Sequence, residues 1–228
     1  MEEKGLDHSR VFVCDNGVET DVFYPPSQGR EARSPNSPVV IGAVAVFRPI
    51  KDLPTLMEAF ARVHRAHPQA RLVIAGSGPV LPELEARRFK LGLEESCSLL
   101  PPPGNVADLM RSIAIFVSSS LSEAFSNPIL EAMACGCCPV GSRVGGTPEL
   151  IEDGERGFLF EPGNTEELDN KLSVLIENPL LRHRFADKAA VFARGTLSIQ
   201  AAAGRLADFY TALLVRAQRS GDRLVSGL

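Results

Sequence analysis

Two glutamates eight residues apart, Glu123 and Glu131, stand in the stretch of this sequence best equipped for chemistry. It reads Ser118-Ser119-Ser120-Leu121-Ser122-Glu123-Ala124-Phe125-Ser126-Asn127-Pro128-Ile129-Leu130-Glu131-Ala132-Met133-Ala134, and its pattern runs from a strand into a helix. Asn127 is expected to cap that helix, and Pro128 suits its first position because the missing N–H would be unpaired there anyway. Free backbone N–H groups and the positive end of the helix dipole make that start a natural diphosphate site. Glu131 lies among Ile129, Leu130, Met133 and Ala134, although a carboxylate is rarely buried without partners. It cannot hold a phosphate, whereas a ribose cis-diol offers two hydroxyl donors that match its two oxygens. Glu123, in the loop, could accept hydrogen bonds from the hydroxyls of a sugar ring. A plainer reading stays open on composition alone: Glu131 facing solvent on an amphipathic helix, and Glu123 an ordinary loop charge.

The elements that must position these residues alternate regularly from Val39 onward. The apolar run Val39 to Phe47 predicts a strand buried on both faces. Leu53, Leu56, Met57, Phe60 and Val63 recur at helical spacing up to Pro68. Further strands are expected at Arg71 to Ala75, Ser98 to Leu100, Ile113 to Val117, Pro139-Val140 and Gly157 to Phe160. Helices are expected up to about Leu91, over Val106 to Met110, near Pro128 to Cys135, over Glu166 to Ile176, over roughly Leu180 to Phe192, and over about Ala201 to Arg219. Repeated βα units of this kind imply an α/β fold with a right-handed, doubly wound parallel sheet, whose ligand lies beyond the carboxyl ends of the strands. Val11-Phe12-Val13 is read as a short leading strand, and the Pro-, Ser- and charge-rich Pro25 to Pro38 as an exposed connection. The expected division is therefore a leading strand and connection over 1–38, a Rossmann-like domain over 39–200, and a C-terminal helix and tail over 201–228. In that last helix Leu206, Phe209, Tyr210, Leu213 and Leu214 form an apolar stripe.

Composition narrows the function. The 228 residues are 44% hydrophobic and 23% charged, as in an ordinary globular protein with a substantial core. A net charge of −4 gives no electrostatic case for nucleic acid or an anionic membrane. No apolar run approaches the length of a membrane span, and Met1 to Arg10 is polar rather than signal-like. Five unevenly spread cysteines argue against a disulfide framework and for a reducing cytoplasm. Cys135-Gly136-Cys137-Cys138 lacks zinc spacing and reads as small buried thiols at a helix end. Gly76-Ser77-Gly78-Pro79 lacks the third glycine of a dinucleotide loop and reads as a βα turn. His64 and His67 read as the solvated end of a helix, and His8 and His183 have no partner pattern. Ser118 to Ser120 lacks the context of a hydrolase nucleophile.

The Glu123-x7-Glu131 pattern, running on into Ala132-Met133-Ala134-Cys135-Gly136 and Pro139-Val140, resembles the signature of family 4 of the retaining GT-B glycosyltransferases. Asp15-Asn16-Gly17-Val18-Glu19-Thr20-Asp21-Val22-Phe23 resembles that family's Asn-Gly-Val segment at the entrance to its C-terminal domain. Gly145-Gly146-Thr147-Pro148-Glu149 resembles its Gly-Gly-x-Pro-Glu turn, and Glu152 to Leu159 the hairpin and strand that follow. Together these cover almost the whole chain. The resemblance implies the C-terminal, donor-binding half of a GT-B fold, holding a nucleoside-diphosphate sugar. Glu131 would hold the ribose, Glu123 the transferred sugar, and the backbone of Ala124, Phe125, Ser126 and Asn127 the sugar and diphosphate. The implied activity is retaining hexosyl transfer to an unknown acceptor, with no cofactor and no bound metal.

Two departures qualify this expectation. The family usually pairs an Arg with a Lys five residues later to clamp the diphosphate; Lys51 fits, but Val46 occupies the Arg position and Arg48 stands three residues before the lysine. Either Arg48 reaches the phosphates from that shifted place, or the site holds them less tightly. The N-terminal GT-B domain has no counterpart, so the expected partners are a nucleotide sugar and a missing N-terminal domain, through which peripheral membrane association would come. A non-catalytic nucleotide-sugar-binding module, or half of a split enzyme, is the alternative; an epimerase or phosphorylase on the same fold fits the motif less well.

Overall fold

The computed structural model describes residues 11–26 and 38–225, with side chains described through Val215. His8, the polar start of the chain, and 27–37 of the expected connection lie outside the described residues. Six strands among the described residues form one parallel sheet: β1 (Val40–Val46), β2 (Arg71–Ser77), β3 (Cys97–Leu100), β4 (Ile115–Ser118), β5 (Cys138–Ser142) and β6 (Phe158–Phe160). Their order across the sheet is β3-β2-β1-β4-β5-β6. The chain winds outward from β1 in one direction, then returns and winds outward from β4 in the other. This is the doubly wound, Rossmann-like arrangement, and it places a topological switch point between β1 and β4.

Eight α-helices among the described residues cover the sheet: α1 (Leu53–Ala66), α2 (Leu81–Lys90), α3 (Val106–Ser112), α4 (Asn127–Ala134), α5 (Thr147–Leu150), α6 (Thr165–Glu177), α7 (Pro179–Thr196) and α8 (Ile199–Val225). Strand alternation divides the interior into two cores. Ile115 and Val117 point to the face covered by α1 and α6, where Leu56, Phe60, Leu168 and Leu172 are buried. Phe116, between them, points to the face of α3 and α4, against Met110, Ile129, Leu130 and Met133. Burial on both faces explains why β1 reads as a continuous apolar run rather than an alternating one.

The structure corrects three expectations. Val11-Phe12-Val13 joins no sheet; its residues are exposed, and the Phe12 ring stacks on Phe209 of α8 at 4.3 Å between centroids. Three adjacent apolar residues signal a strand only where a neighbouring edge can pair with them. The leading segment is instead anchored at Val18, whose N–H donates to the Leu197 carbonyl and whose own carbonyl accepts from the Ile199 N–H. The turn at Gly145 to Glu149 contains a short helix, α5, which its four residues hid from periodicity. The turn that begins at Gly76 is shorter than expected, because β2 continues through Ser77.

The apolar stripe of α8 is largely uncovered. Leu206, Tyr210, Leu213 and Leu214 are exposed, while Phe209 is half-buried under Phe12. Contiguous exposed apolar surface favours association. The chain is expected to self-associate at high micromolar concentration, and removal of the segment after about Tyr210 to reduce this. Sedimentation velocity checks it; a strictly monomeric chain at those concentrations contradicts it. Among the described residues, no helix is long and apolar enough to cross a membrane.

Candidate functional site

The site is built where β1 and β4 leave the sheet side by side. After β1, the buried Phe47 anchors the chain, and Arg48, Pro49, Ile50 and Lys51 turn sharply through a 3-10 helix over Pro49–Lys51. Asp52 closes that turn with φ 42°, a left-handed conformation costly for a residue with a side chain. Its carboxylate accepts a hydrogen bond from Thr55 Oγ1 at 2.7 Å, which offsets part of the strain. The result points Lys51 across the switch point.

After β4, Ser119 and Ser120 are buried and tie the second loop to the first. Ser119 Oγ donates to the Lys51 carbonyl at 2.9 Å, and the Leu121 N–H donates to the Ile50 carbonyl at 2.8 Å. The loop then presents Glu123. Its Oε1 accepts from Lys51 Nζ at 2.5 Å and from Ser120 Oγ at 2.8 Å. These two charges lie 72 residues apart in sequence and are both largely withdrawn from solvent, which strengthens a charge-assisted bond. Behind the loop, the Gly146 N–H donates to the Ala124 carbonyl at 2.9 Å. A Cβ on Gly145 would stand 1.5 Å from the Glu123 carbonyl oxygen, so only glycine permits this approach.

The loop ends in α4. Ser126, not Asn127, is the N-cap residue, and no side chain caps the helix. Asn127 is already helical and its Oδ1 accepts from Asn16 Nδ2 at 2.9 Å, which docks the leading segment on the first turn. Pro128 accordingly sits at the second helical position. Two adjacent residues of similar capping propensity cannot be ranked from sequence when a proline follows either. The N–H groups of Ala124, Phe125 and Ser126 donate to no backbone acceptor among the described residues. With the helix start beyond them, they form a patch of positive potential.

Glu131 is half-buried on α4, one helical turn beyond Asn127 on the same face. Burial pushes its carboxyl up to about 6, and no hydrogen bond or ion pair among the described residues holds it down. A desolvated carboxylate without a partner is an acceptor held ready for hydroxyl donors. The plainer reading, a solvated helix charge, does not fit that burial.

A pocket at the switch point brings together Val44, Lys51, Ser118, Glu123, Ser126 and Pro128, among others. Of the expected site residues, Lys51, Glu123 and Ser126 line it. Arg48, Ala124, Phe125, Asn127 and Glu131 do not; Arg48, Ala124 and Asn127 are exposed, and Phe125 and Glu131 half-buried. Val46, in the position expected for an arginine, is 53% exposed at the end of β1. Sequence reasoning missed the roles of Ser119, Ser120 and the buried Ser142, because nothing in a run of serines shows which hydroxyls turn inward. Cys135, Cys137 and Cys138 are buried thiols as expected, whereas His64 and His67 are half-buried rather than solvated, and His67, at the end of α1, has its Nε2 3.3 Å from Glu177 Oε1.

Comparison with known proteins agrees with this fold. The profile of the family described as glycosyl transferases group 1 matches residues 27–192. The D-inositol 3-phosphate glycosyltransferase of Actinosynnema mirum is 32% identical over 225 residues, 90% of this chain and 54% of that protein. The Anabaena protein Alr3699/HepE, solved in complex with UDP and glucose, superposes with a TM-score of 0.80 at 25% identity, over 91% of this chain and 58% of that one. The solved C-terminal domain of a group 1 glycosyl transferase (LpcC) from Francisella tularensis is covered completely, over 80% of this chain, with a TM-score of 0.71 at 28% identity. The chain thus spans between half and two thirds of the Actinosynnema and Anabaena proteins.

Proposed function

This chain belongs to the group 1 glycosyltransferases, and from that premise we propose that it binds a nucleoside-diphosphate sugar at the β1/β4 switch point, as the donor-binding, C-terminal half of a GT-B hexosyltransferase that retains anomeric configuration. One observation carries the reading most: Lys51, Glu123 and the open N–H groups before α4 converge at the switch point, with the desolvated Glu131 one turn beyond.

Each group has a chemical task. Lys51 and the N–H groups of Ala124 to Asn127 complement the diphosphate, with Arg48 approaching from the exposed loop. Glu131 accepts from the ribose hydroxyls and Glu123 from hydroxyls of the transferred sugar. As the bond from the anomeric carbon to the diphosphate breaks, negative charge grows on the leaving oxygens. The helix start is already oriented toward that charge and needs little reorganisation, while Lys51 turns to it from its bond with Glu123. The departing phosphate then takes the acceptor proton on the face from which it left, which preserves configuration. No cofactor enters the scheme. The Anabaena protein supports the donor class, since it is solved with UDP and glucose.

Val46 favours a second reading, a nucleotide-sugar-binding module without catalysis, because it puts an apolar side chain where the family usually carries a phosphate-binding arginine. Calorimetry on the full chain with UDP, GDP and ADP and their glucose conjugates, beside a transfer assay, tests the proposal. The expected result is binding of at least one diphosphate without sugar transfer by this chain alone. Binding of none overturns the donor-site reading, and robust transfer to a soluble acceptor by the chain alone overturns the assignment as half of a site.

A further inference from the structure

Resting on the reading of Glu123 as the sugar-contacting carboxylate, we propose that Ser120 and Ser142 are positioning residues that aim this carboxylate in the donor site. Both side chains are essentially inaccessible to solvent, at 1% and 0% exposure. The last ladder pair between β4 and β5 is Ser118 with Gly141, so the backbones part just before these serines. Their hydroxyls continue the connection. Ser142 Oγ donates to the Ser120 carbonyl at 2.5 Å, and Ser120 Oγ donates to Glu123 Oε1 at 2.8 Å. A relay therefore runs from the end of β5 through the β4 loop to the carboxylate.

The relay acts on one oxygen only. Ser120 and Lys51 both donate to Oε1, and among the described residues Oε2 accepts from no protein group. A carboxylate fixed by one oxygen presents the other in a set direction, which suits recognition of a particular ring hydroxyl. Lys51 cannot serve this purpose throughout. In the proposed complex the lysine is drawn toward the diphosphate, and its bond to Glu123 must lengthen or break. Ser120 carries no charge and is held from behind by Ser142, so it keeps its bond when the lysine moves. Buried hydroxyls aimed at a neighbouring carboxylate lose little by staying bonded, since no water competes for them.

The test compares Ser120→Ala and Ser120→Thr with the unaltered full chain, by calorimetry with UDP, UDP-glucose and UDP-N-acetylglucosamine. In the unaltered chain at least one sugar conjugate should bind more tightly than UDP. Ser120→Ala should leave UDP affinity within about twofold and remove roughly three- to tenfold of the sugar-dependent gain, the scale of one hydrogen bond to a charged group. Ser120→Thr, which keeps the donor, should restore it. If Ser120→Ala fails to fold, Ser120→Cys carries the same test with nearly unchanged size and a much weaker donor. Ser142→Ala should reproduce the pattern in smaller measure. Loss of UDP and sugar-conjugate affinity in equal proportion would show a merely structural serine and overturn the proposal. An unchanged ratio, or an unaltered chain with no sugar-dependent gain, would overturn it while the nucleotide site stands. An unaltered chain that binds neither UDP nor its conjugates overturns the donor reading itself, and the proposal with it.

Discussion

Glu131→Ala should weaken binding of the bare nucleoside diphosphate by roughly ten- to a hundredfold, the equivalent of about 1.5–3 kcal/mol in charge-assisted hydrogen bonds. The carboxyl is held near 6 in the folded chain by burial, above its value of about 4.3 in an unfolded one. A raised folded value means that the stabilisation tied to this group is fully present below about pH 4.3 and is lost as pH rises through about 6. At neutral pH, then, the ionised Glu131 costs stability, on the order of 1 kcal/mol after allowance for its partial exposure. Glu131→Gln, which stays neutral, should be more stable than the unaltered chain at pH 7 to 8, and the difference should vanish toward pH 4.5. Binding runs the opposite way. If the ionised carboxylate accepts the ribose hydroxyls, the affinity ratio of the unaltered chain to Glu131→Gln should fall as pH drops below about 6. Taking the ratio cancels the titration of the phosphate itself. Calorimetry across pH 5 to 8, with thermal melts on the same samples, reads both effects. Equal affinities for the two proteins at pH 7.5 would reject the ribose assignment.

Gly145→Ala should have the largest effect on stability. The residue adopts φ +48° and its added Cβ would meet the Glu123 carbonyl oxygen at 1.5 Å, a backbone atom that cannot swing aside. Strain at the left-handed backbone adds to displacement of the loop, for a total of about 2–4 kcal/mol. Gly154→Ala is the internal control. That position has φ +78° but open space around the new methyl, so only the backbone cost of about 1–2 kcal/mol remains. Urea midpoints at constant m separate the two. Because the displaced carbonyl belongs to Glu123, Gly145→Ala should also erase the distinction between UDP and its sugar conjugates. Equal destabilisation by the two alanines would mean that the Gly145 turn does not clasp the Glu123 loop.

The sheet was legible from sequence for a physical reason. Strands buried on both faces, such as β1, must be apolar at every position, and that run is hard to mistake. The helices α1 and α6 each bury one face and leave a periodic trace. The site was legible only along the chain: Glu123 and Glu131 flank a helix start, and Lys51 follows a strand. The bond between Lys51 and Glu123 crosses 72 residues and depends on which strands become neighbours, so no local pattern contains it. The same holds for Ser142, whose hydroxyl matters because β5 lies beside β4. The misreadings have the opposite origin. Val11 to Val13 and Asn127 carry the right local propensity for a strand and a cap, but the strand needs a partner edge and the cap falls one residue earlier, at Ser126.

The central claim is that a nucleoside diphosphate lies at the switch point, across the start of α4. Backbone amide spectra of the isotope-labelled chain, titrated with UDP, test it most directly. The account predicts that the largest shifts cluster at Ala124 to Glu131 and at Arg48 to Lys51, and that they weaken together in Glu131→Ala. Saturable binding that leaves the amides of Ala124 to Glu131 unmoved would contradict it.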